Sequence, residues 1–227
     1  MKKLKISNNV IRRLPRYLRK LDELAENGVT RISSFDLGQH LGFTPSQIRQ
    51  DFSCFGEFGQ QGYGYNVAEL RHEVGTILGM DRGLSAILIG CGNIGRAMLD
   101  NFCFSNWGVT LKAAFDVNSE IIGSNFNGIT VFSMENLAEY LTNNKIDIAV
   151  LTVPKEVAKN VAQNLIDSGI GAIWNFTNVE LTEPNSPILV ENVHFSDSLL
   201  SLSYYITERQ NDEAAKLARL AKANSVK

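Results

Sequence analysis

A short apolar strand followed by a glycine-rich turn and a helix constrains the fold of this chain more than any other feature. The run from Ala86 to Ile89 predicts a buried strand, and Gly90-Cys91-Gly92-Asn93-Ile94-Gly95 follows it directly. Apolar residues then recur at helical spacing, at Ile94, Ala97, Met98 and Phe102. In such a motif the first glycine permits the tight turn, the second lets a pyrophosphate approach the backbone, and the third lets the helix pack on the strand.

A second apolar strand, Val109 to Phe115, ends at Asp116, which lies 21 residues after Gly95. An acid at this distance accepts hydrogen bonds from both ribose hydroxyls of NAD(H) and repels the 2′-phosphate of NADP(H). The alternative, in which Asp116 only begins a turn with Asn118, stays open. We interpret residues 90–95 and Asp116 as a site for NADH/NAD⁺.

Strand and helix patterns alternate onward from this motif and predict an α/β fold with a doubly wound parallel sheet. The strands are expected at 86–89, 109–115, 129–132, 146–151, 172–175 and 188–191. Ligands bind such sheets at the carboxyl ends of the strands. Thr152 and Val153, which follow the fourth strand, are therefore expected to face the dinucleotide as well.

The N-terminal residues predict three helices. The first ends at Asn27-Gly28, and Pro15 is expected to bend it or delay its beginning. The third begins at Thr44-Pro45, a favoured capping arrangement. Its outer face carries polar side chains that can read base edges in double-stranded DNA, namely Ser46, Gln47, Arg49, Gln50 and Ser53. This is the helix-turn-helix pattern.

Four glycines among aromatic residues between Phe55 and Tyr65 favour a β-hairpin, or wing, with Gln60 and Gln61 at its tip. The first 21 residues hold eight basic side chains and no acid, which favours binding to a polyanion. Two alternatives stay open: a solvated basic helix face, and a head that binds proteins rather than nucleic acid.

The residues from Phe195 to Ile206 are too apolar on too many sides for an exposed helix. They either pack back on their own sheet or are exchanged with a partner subunit. The expected organisation is a winged-helix DNA-binding domain (1–79), a Rossmann domain (84–193), a dimerisation helix (194–211) and a tail (212–227).

Composition narrows the setting of the chain. Its start is basic but has no following apolar core, and its apolar runs are too short to span a bilayer, so no signal peptide and no membrane association are expected. Three scattered cysteines indicate neither a disulfide framework nor a metal site. We expect a cytoplasmic protein.

Segments in both domains are typical of one family: Arg13-Leu14-Pro15 with Tyr17-Leu18-Arg19, Gln47-Ile48-Arg49, Phe55-Gly56-Glu57-Phe58-Gly59, Gly64-Tyr65-Asn66-Val67, residues 90–95, Phe115-Asp116-Val117, Ala172-Ile173-Trp174-Asn175-Phe176 and Glu191-Asn192-Val193. On these segments the chain resembles the Rex redox-sensing transcriptional repressors over about residues 4–207.

The resemblance implies a homodimer with winged-helix heads on a palindromic operator and domain-swapped C-terminal helices. It implies NADH bound near the dimer interface, with Phe195 reaching the nicotinamide pocket of the partner. DNA is held when the NADH/NAD⁺ ratio is low and released when NADH binds. DNA contacts are expected from Arg13, from the outer face of the third helix, and from the wing.

The chain also departs from the family pattern. Gln50 stands where a lysine is typical, and Gln60-Gln61 where a basic pair is typical. Arg19 matches the arginine of the redox-coupling set, but Asn101 and His194 replace its tyrosine and aspartate. We therefore expect weak coupling between NADH and DNA.

Two other functions are compatible with the sequence. One is a divergent NAD(H) sensor that acts through other partners. The other, less favoured, is an NAD-dependent dehydrogenase, which usually needs an acid/base side chain beside the nicotinamide. Of three histidines only His194 is a candidate, and no length remains for a substrate domain.

Overall fold

The computed structural model describes residues 6–56, 58–59, 63–182 and 188–224, and the side chains up to residue 216. The chain divides into two compact units. The first comprises Met1–Leu84 and Phe104–Val109, and the second comprises Ser85–Cys103 and Thr110–Lys227. The division lies close to the boundary expected between residues 79 and 84, but the segment 104–109 joins the first unit, which the sequence did not predict.

The described part of the first unit contains four α-helices, two very short strands and a 3-10 helix at Phe104–Trp107. Its elements are α1 (Asn8–Glu26), β1 (Arg31–Ile32), α2 (Ser34–Leu41), α3 (Pro45–Ser53), β2 (Tyr65–Asn66) and α4 (Val67–Ile77). The side-chain oxygens of Ser33 and Thr44 cap α2 and α3 by accepting from Asp36 N–H (3.0 Å) and Gln47 N–H (3.2 Å). The predicted helix-turn-helix is present.

Pro15 lies inside α1, so of the two alternatives expected from the sequence, a bend or a delayed beginning, the delayed beginning is wrong. A proline in a helix interior costs about 3 kcal/mol because a hydrogen bond is lost and the ring meets the preceding turn. The helix persists because one face, including Leu14, Leu18 and Leu21, is buried in the core of the unit. Burial of each such side chain contributes roughly 1.5–3 kcal/mol.

The strand at the base of the predicted wing pairs with β1 in an antiparallel ladder that joins Ile32 to Tyr65. Gly64 precedes that strand with a φ of +69°, and a Cβ there would lie 2.6 Å from the carbonyl oxygen of Ile32. Only glycine fits this approach. The predicted wing tip, Gln60 and Gln61, lies outside the described residues.

The second unit is built on a seven-stranded sheet with the order β5-β6-β4-β3-β7-β8-β9. Its elements are β3 (Leu84–Ile89), α5 (Asn93–Asn101), β4 (Val109–Asp116), β5 (Asn125–Phe126), β6 (Ile129–Ser133), α6 (Leu137–Asn143), β7 (Ile148–Leu151), α7 (Lys155–Asp167), β8 (Ala172–Asn175), β9 (Leu189–Asn192) and α8 (Phe195–Asn224). The pairs β3–β7, β7–β8, β8–β9 and β4–β6 are parallel, so the predicted Rossmann-type sheet is confirmed.

The apolar residues at helical spacing do not mark the most buried face of α5. Gly95 and Leu99 are buried, whereas Ile94 is 38% exposed and Ala97 is exposed. A Cβ on Gly95 would lie only 2.0 Å from the carbonyl oxygen of Gly90, so the glycine face of α5 packs directly on the preceding turn. Hydrophobic periodicity does not register a contact made by a residue without a side chain.

The C-terminal helix α8 extends to Asn224, so the predicted tail from residue 212 is helical over most of its length. Every described side chain of α8, from Phe195 to residue 216, is exposed. Leu199, Leu200 and Tyr205 are each about two-thirds exposed. Packing of this helix back on its own sheet is therefore ruled out. Among the described residues, no helix is long and apolar enough to cross a bilayer.

Candidate functional site

The glycine-rich turn between β3 and α5 has the geometry of a phosphate-binding loop. Gly90 has a φ of +92°, and a Cβ there would lie 2.9 Å from Val153 Cγ1. A Cβ on Gly92, by contrast, would meet no atom within 4 Å. The glycines at 90 and 95 are therefore required for packing, while the backbone at 92 is open to an approaching group. A pyrophosphate fits such an opening.

The amino end of α5 is available to an anion. Gly92 is its N-cap residue and supplies no side-chain hydrogen bond to the helix start. The nine-residue helix directs its first N–H groups and the positive end of its dipole towards this opening. Asn93, Ile94 and Gly95 form this first turn, as the sequence predicts.

Asp116 lies at the carboxyl end of β4 and contacts the glycine-rich turn. Its Oδ2 accepts a hydrogen bond from the N–H of Cys91 at 2.5 Å, and its Oδ1 accepts one from the N–H of Asn118 at 2.8 Å. The turn with Asn118 thus exists, but it does not exhaust the role of the carboxylate. A half-buried carboxylate beside the loop suits a hydrogen-bond acceptor for the ribose of a bound dinucleotide.

The thiol of Cys91 is buried beneath this loop. Burial, and secondarily the Asp116 carboxylate, raises the pKa of Cys91 to about 12. The thiol is therefore protonated and unreactive at neutral pH. Cys91 contributes its backbone N–H to the site rather than its sulfur.

Thr152 and Val153 support the loop from the end of β7. The Thr152 hydroxyl donates to the carbonyl oxygen of Gly90, 2.6 Å away, and also lies 3.0 Å from that of Ile89. The Thr152 hydroxyl thus donates its hydrogen bond within the protein. The sequence predicted only that Thr152 faces the dinucleotide. Val153 packs against Gly90 and fixes the turn from the other side.

An aromatic series leads from the carboxyl end of α5 to the beginning of α8. Ring centroids are 5.7 Å apart between Phe102 and Trp174, 4.6 Å between Trp174 and Phe176, and 6.4 Å between Phe176 and Phe195. Phe195 itself is 60% exposed. Its outer face is therefore accessible to a ligand or to a second chain.

The three residues expected to couple the two ligands have separate settings. Arg19 is exposed on α1, in the first unit. In the second unit, the Asn101 amide donates to Ala97 O at 3.1 Å. His194 Nε2 lies 3.4 Å from Glu180 Oε2.

Glu180 is a site residue that the sequence analysis missed. Its other oxygen accepts from the amide of Asn192, which also donates to Thr182 Oγ1 at 2.7 Å. Hydrogen bonding from Thr182, and then from His194, lowers the pKa of Glu180. A carboxylate therefore lies beside His194, although neither of its immediate sequence neighbours, Val193 and Phe195, is acidic.

The outer face of α3 is arranged as predicted. Ile48 and Phe52 are buried against α1 and α2, while Ser46, Arg49 and Gln50 are exposed and Gln47 is half-buried. The Arg49 guanidinium donates to Ser34 Oγ at 2.9 Å, which holds it at the start of α2. Polar and cationic groups on one exposed face are the means by which a recognition helix reads DNA.

The sequence predicts that Arg13 contacts DNA. In the structure, however, Arg13 does not have the setting of a free cation. Its guanidinium forms two hydrogen bonds with Asp51, Nε–Oδ2 at 2.7 Å and Nη2–Oδ1 at 2.6 Å. The Tyr17 hydroxyl donates to the same carboxylate at 2.7 Å. No sequence pattern indicates this role for Asp51, because an isolated acid on a polar helix is typical of a solvated residue.

Two family descriptions match the chain, "CoA binding domain" over residues 81–179 and "Putative DNA-binding protein N-terminus" over residues 5–53. Among curated proteins, the redox-sensing transcriptional repressor Rex of Clostridium beijerinckii is 48% identical over 206 residues, covering 91% of this chain and 97% of that protein. Rex of Clostridium botulinum strain Hall is 48% identical over 209 residues, covering 92% and 99% respectively.

Solved structures of a Rex-family repressor called RSP are also similar. RSP in complex with β-NAD⁺ and operator DNA has a TM-score of 0.83 and 45% identity, covering 93% of this chain and 97% of RSP. RSP in complex with β-NADH has a TM-score of 0.84 and 42% identity, covering 92% and 98%.

Proposed function

The chain belongs to the Rex family of redox-sensing transcriptional repressors, and on that premise we propose that it binds operator DNA as a homodimer and responds to the NADH/NAD⁺ ratio. The resemblance drawn from its motifs is confirmed. The observation that carries the function is the presence, in one chain, of an exposed polar recognition helix and an open glycine-rich loop with Asp116 beside it.

The nucleotide site recognises the cofactor through backbone N–H groups and through the charge of Asp116. The N–H groups at the start of α5 hold the pyrophosphate, and Asp116 accepts from the ribose hydroxyls and disfavours a 2′-phosphate. When bound, the nicotinamide ring supplies the signal, since it is cationic in NAD⁺ and neutral in NADH. Phe195 would meet that ring across the dimer.

The dimer is built through α8, which is exchanged between subunits. Its support is the row of exposed apolar side chains on a helix that its own chain does not cover, among them Leu199, Leu202 and Ile206. Burying such a row in a second copy removes apolar surface from water, which is the main driving force for association. We further propose that the protein acts in the cytoplasm, where the chromosome of the bacterial relatives lies.

The head contacts DNA through Ser46, Gln47, Arg49 and Gln50 on α3, and Gln60 and Gln61 are proposed as further DNA contacts. The test is DNA binding with and without NADH, measured by fluorescence anisotropy on a palindromic operator selected at low salt. We expect binding in NAD⁺ or without nucleotide, and weaker binding in NADH. Equal affinity in all three conditions would contradict a redox response.

Rex proteins regulate transcription, and we further propose that this chain turns over no substrate. His40 and His72 are in the first unit, and His194 is engaged with Glu180. Incubation of NADH with a panel of aldehydes and ketones should leave the nicotinamide absorbance unchanged, whereas steady oxidation would indicate a dehydrogenase.

Redox coupling is proposed to pass through Arg19, Asn101 and His194, and to be weaker than with the tyrosine and aspartate of the family pattern. Glu180 Oε2 lies 3.4 Å from His194 Nε2, so His194 already has an acidic partner within the second unit. The double variant His194→Asp, Asn101→Tyr should release DNA more sharply than the parent.

A second candidate is a divergent sensor that acts mainly through other partners. The observation that favours it is the neutral Gln50 on the exposed face of α3, where a cation is typical. Gel shifts at low salt with a palindromic library distinguish the two functions. No retarded species, with NADH binding intact, would favour this second candidate.

A further inference from the structure

One carboxylate joins two helices of the head from inside the core. Asp51 lies on α3 and is only 2% exposed, although it is an acidic residue. Ile48 and Phe52, its neighbours on the inner face of α3, are buried hydrophobic side chains. A charge in such surroundings is retained only where opposite charge and hydrogen bonds compensate its loss of water.

Three donors from α1 provide this compensation. Arg13 binds both Asp51 oxygens in the planar, two-bonded geometry of a guanidinium and a carboxylate, and the Tyr17 hydroxyl donates to one of them. Arg13 and Tyr17 are four residues apart, so they lie on the same face of α1. Burial and the neighbouring Asp51 raise the pKa of Tyr17, so its hydroxyl stays a donor at any pH of interest.

The next basic residue of α1 also contacts the helix-turn-helix. The Arg16 guanidinium lies 4.4 Å from the centre of the Phe43 ring and donates to Leu41 O at 2.9 Å. Both contacts fall at the turn that joins α2 to α3. Thus α1 holds α3 at its inner face and also holds the turn that leads into it.

Gln50, on the exposed face of α3, directly precedes the buried Asp51. A contact that fixes Asp51 therefore also fixes the orientation of the DNA-facing side chains. We propose that Arg13 is a positioning residue, which sets the angle of α3 through Asp51 and contributes to operator recognition by that route rather than by contact with a DNA phosphate. The inference rests on the proposed DNA-binding function. Tyr17 and Asp51 belong to the same hydrogen-bonded group, which holds α3 against α1.

The two roles predict different behaviour when Arg13 is replaced by lysine. A lysine retains the positive charge and can contact a phosphate, but it cannot bind both oxygens of Asp51 in the planar geometry of arginine. Arg13→Lys should therefore weaken operator binding by about tenfold if Arg13 positions α3, and change it little if Arg13 contacts a phosphate. Tyr17→Phe, which keeps the ring and removes one hydroxyl, should have a smaller effect of the same kind.

Salt dependence provides the second measurement. Each neutralised phosphate contributes about 0.9 to the slope of log affinity against log salt concentration, so the loss of one contact per head lowers a dimer's slope by about 1.8. With a positioning role, Arg13→Gln should leave the slope unchanged. It should also weaken the operator complex while leaving the affinity for a scrambled duplex unchanged.

The experiment compares Arg13→Lys, Arg13→Gln, Tyr17→Phe and the matched control Lys20→Gln, a charge removal on the same helix at an ion pair with Glu23. NADH binding, measured by fluorescence titration, confirms that each variant is folded in the second unit, and near-ultraviolet circular dichroism reports on the head. Asp51→Asn combined with Arg13→Gln tests whether the two residues act as one, in which case the double variant is no weaker than the weaker single variant.

Two results would overturn the inference: a slope lowered by 1 or more in Arg13→Gln with equal loss on both duplexes, or operator affinity in Arg13→Lys equal to that of the parent. An unmodified protein that bound no operator would instead overturn the proposed function, and the inference with it. The two failures are therefore distinguishable.

Discussion

Two alanine substitutions in the glycine-rich loop should separate folding from nucleotide binding. At Gly95 an added Cβ would lie 2.0 Å from the Gly90 carbonyl oxygen, far inside contact distance, and the atom it meets is backbone at a tight turn. At Gly92 an added Cβ would meet no atom within 4 Å, and the residue has an ordinary φ of −68°. The same chemical change therefore meets opposite surroundings three residues apart.

The expected magnitudes follow from those surroundings. Gly95→Ala overpacks the joint between α5 and the turn, and such overpacking costs about 1–3 kcal/mol of the free energy of unfolding. Gly92→Ala leaves the free protein as stable as the parent, but its methyl group occupies the space that the pyrophosphate needs. Holding the phosphate away from the N–H groups should weaken NADH binding at least tenfold, or about 1.4 kcal/mol.

The assay combines urea unfolding of the two variants without ligand and calorimetric titration with NADH. Parent-like stability with weakened NADH binding is expected for Gly92→Ala, and reduced stability for Gly95→Ala. If Gly92→Ala bound NADH as tightly as the parent, the pyrophosphate would not lie over this residue. Parent-like stability of Gly95→Ala would refute the packing argument.

Three further outcomes are expected. NADH should bind far more tightly than NADPH in calorimetry, and Asp116→Ala should narrow the difference by about one to two decades, since hydrogen bonds to a charged group contribute roughly 1.5–3 kcal/mol; equal binding of both cofactors by the parent would contradict this. Replacing Gln60 by Lys and Gln61 by Arg should steepen the salt dependence of operator binding, by up to about 3.6 for four added phosphate contacts per dimer. Hydrogen bonds from the N–H and hydroxyl of Ser85 lower the pKa of Asp147. The contribution of Asp147 to stability is therefore present above the ordinary carboxyl pKa and is lost as pH falls through the folded-state pKa. The difference in stability between the parent and Asp147→Asn, measured from urea midpoints, should shrink between neutral pH and about pH 2.

The elements with strong sequence signals were predictable. The strand at Ala86–Ile89, the loop after it and the helix from Asn93 follow from an apolar run, from glycine chemistry and from helical spacing, all of which are local. The capped start of α3 at Thr44 is equally local. The two-residue strand β1 carries no periodicity, and it forms only because a distant segment, β2, offers a pairing edge.

The site residues that were missed depend on contacts between distant parts of the chain. Asp51 and Arg13 are 38 residues apart, and Glu180 and His194 are 14 apart, so no local pattern relates them. Similarly, Gly95 lies on the buried face of α5 and makes a backbone contact that a hydropathy pattern does not register. The sequence shows which side chains are available for chemistry, and tertiary packing decides which of them are already engaged.

The uncovered helix α8 has a consequence for how the repressor is made. A helix that gains no burial from its own chain depends on a second chain for its stability, so maturation of each subunit is a bimolecular event. The amount of operator-competent protein then rises more steeply than the amount synthesised, until subunits are abundant enough to be fully paired. Gene dosage and translation rate thereby become inputs to repression alongside the nucleotide ratio.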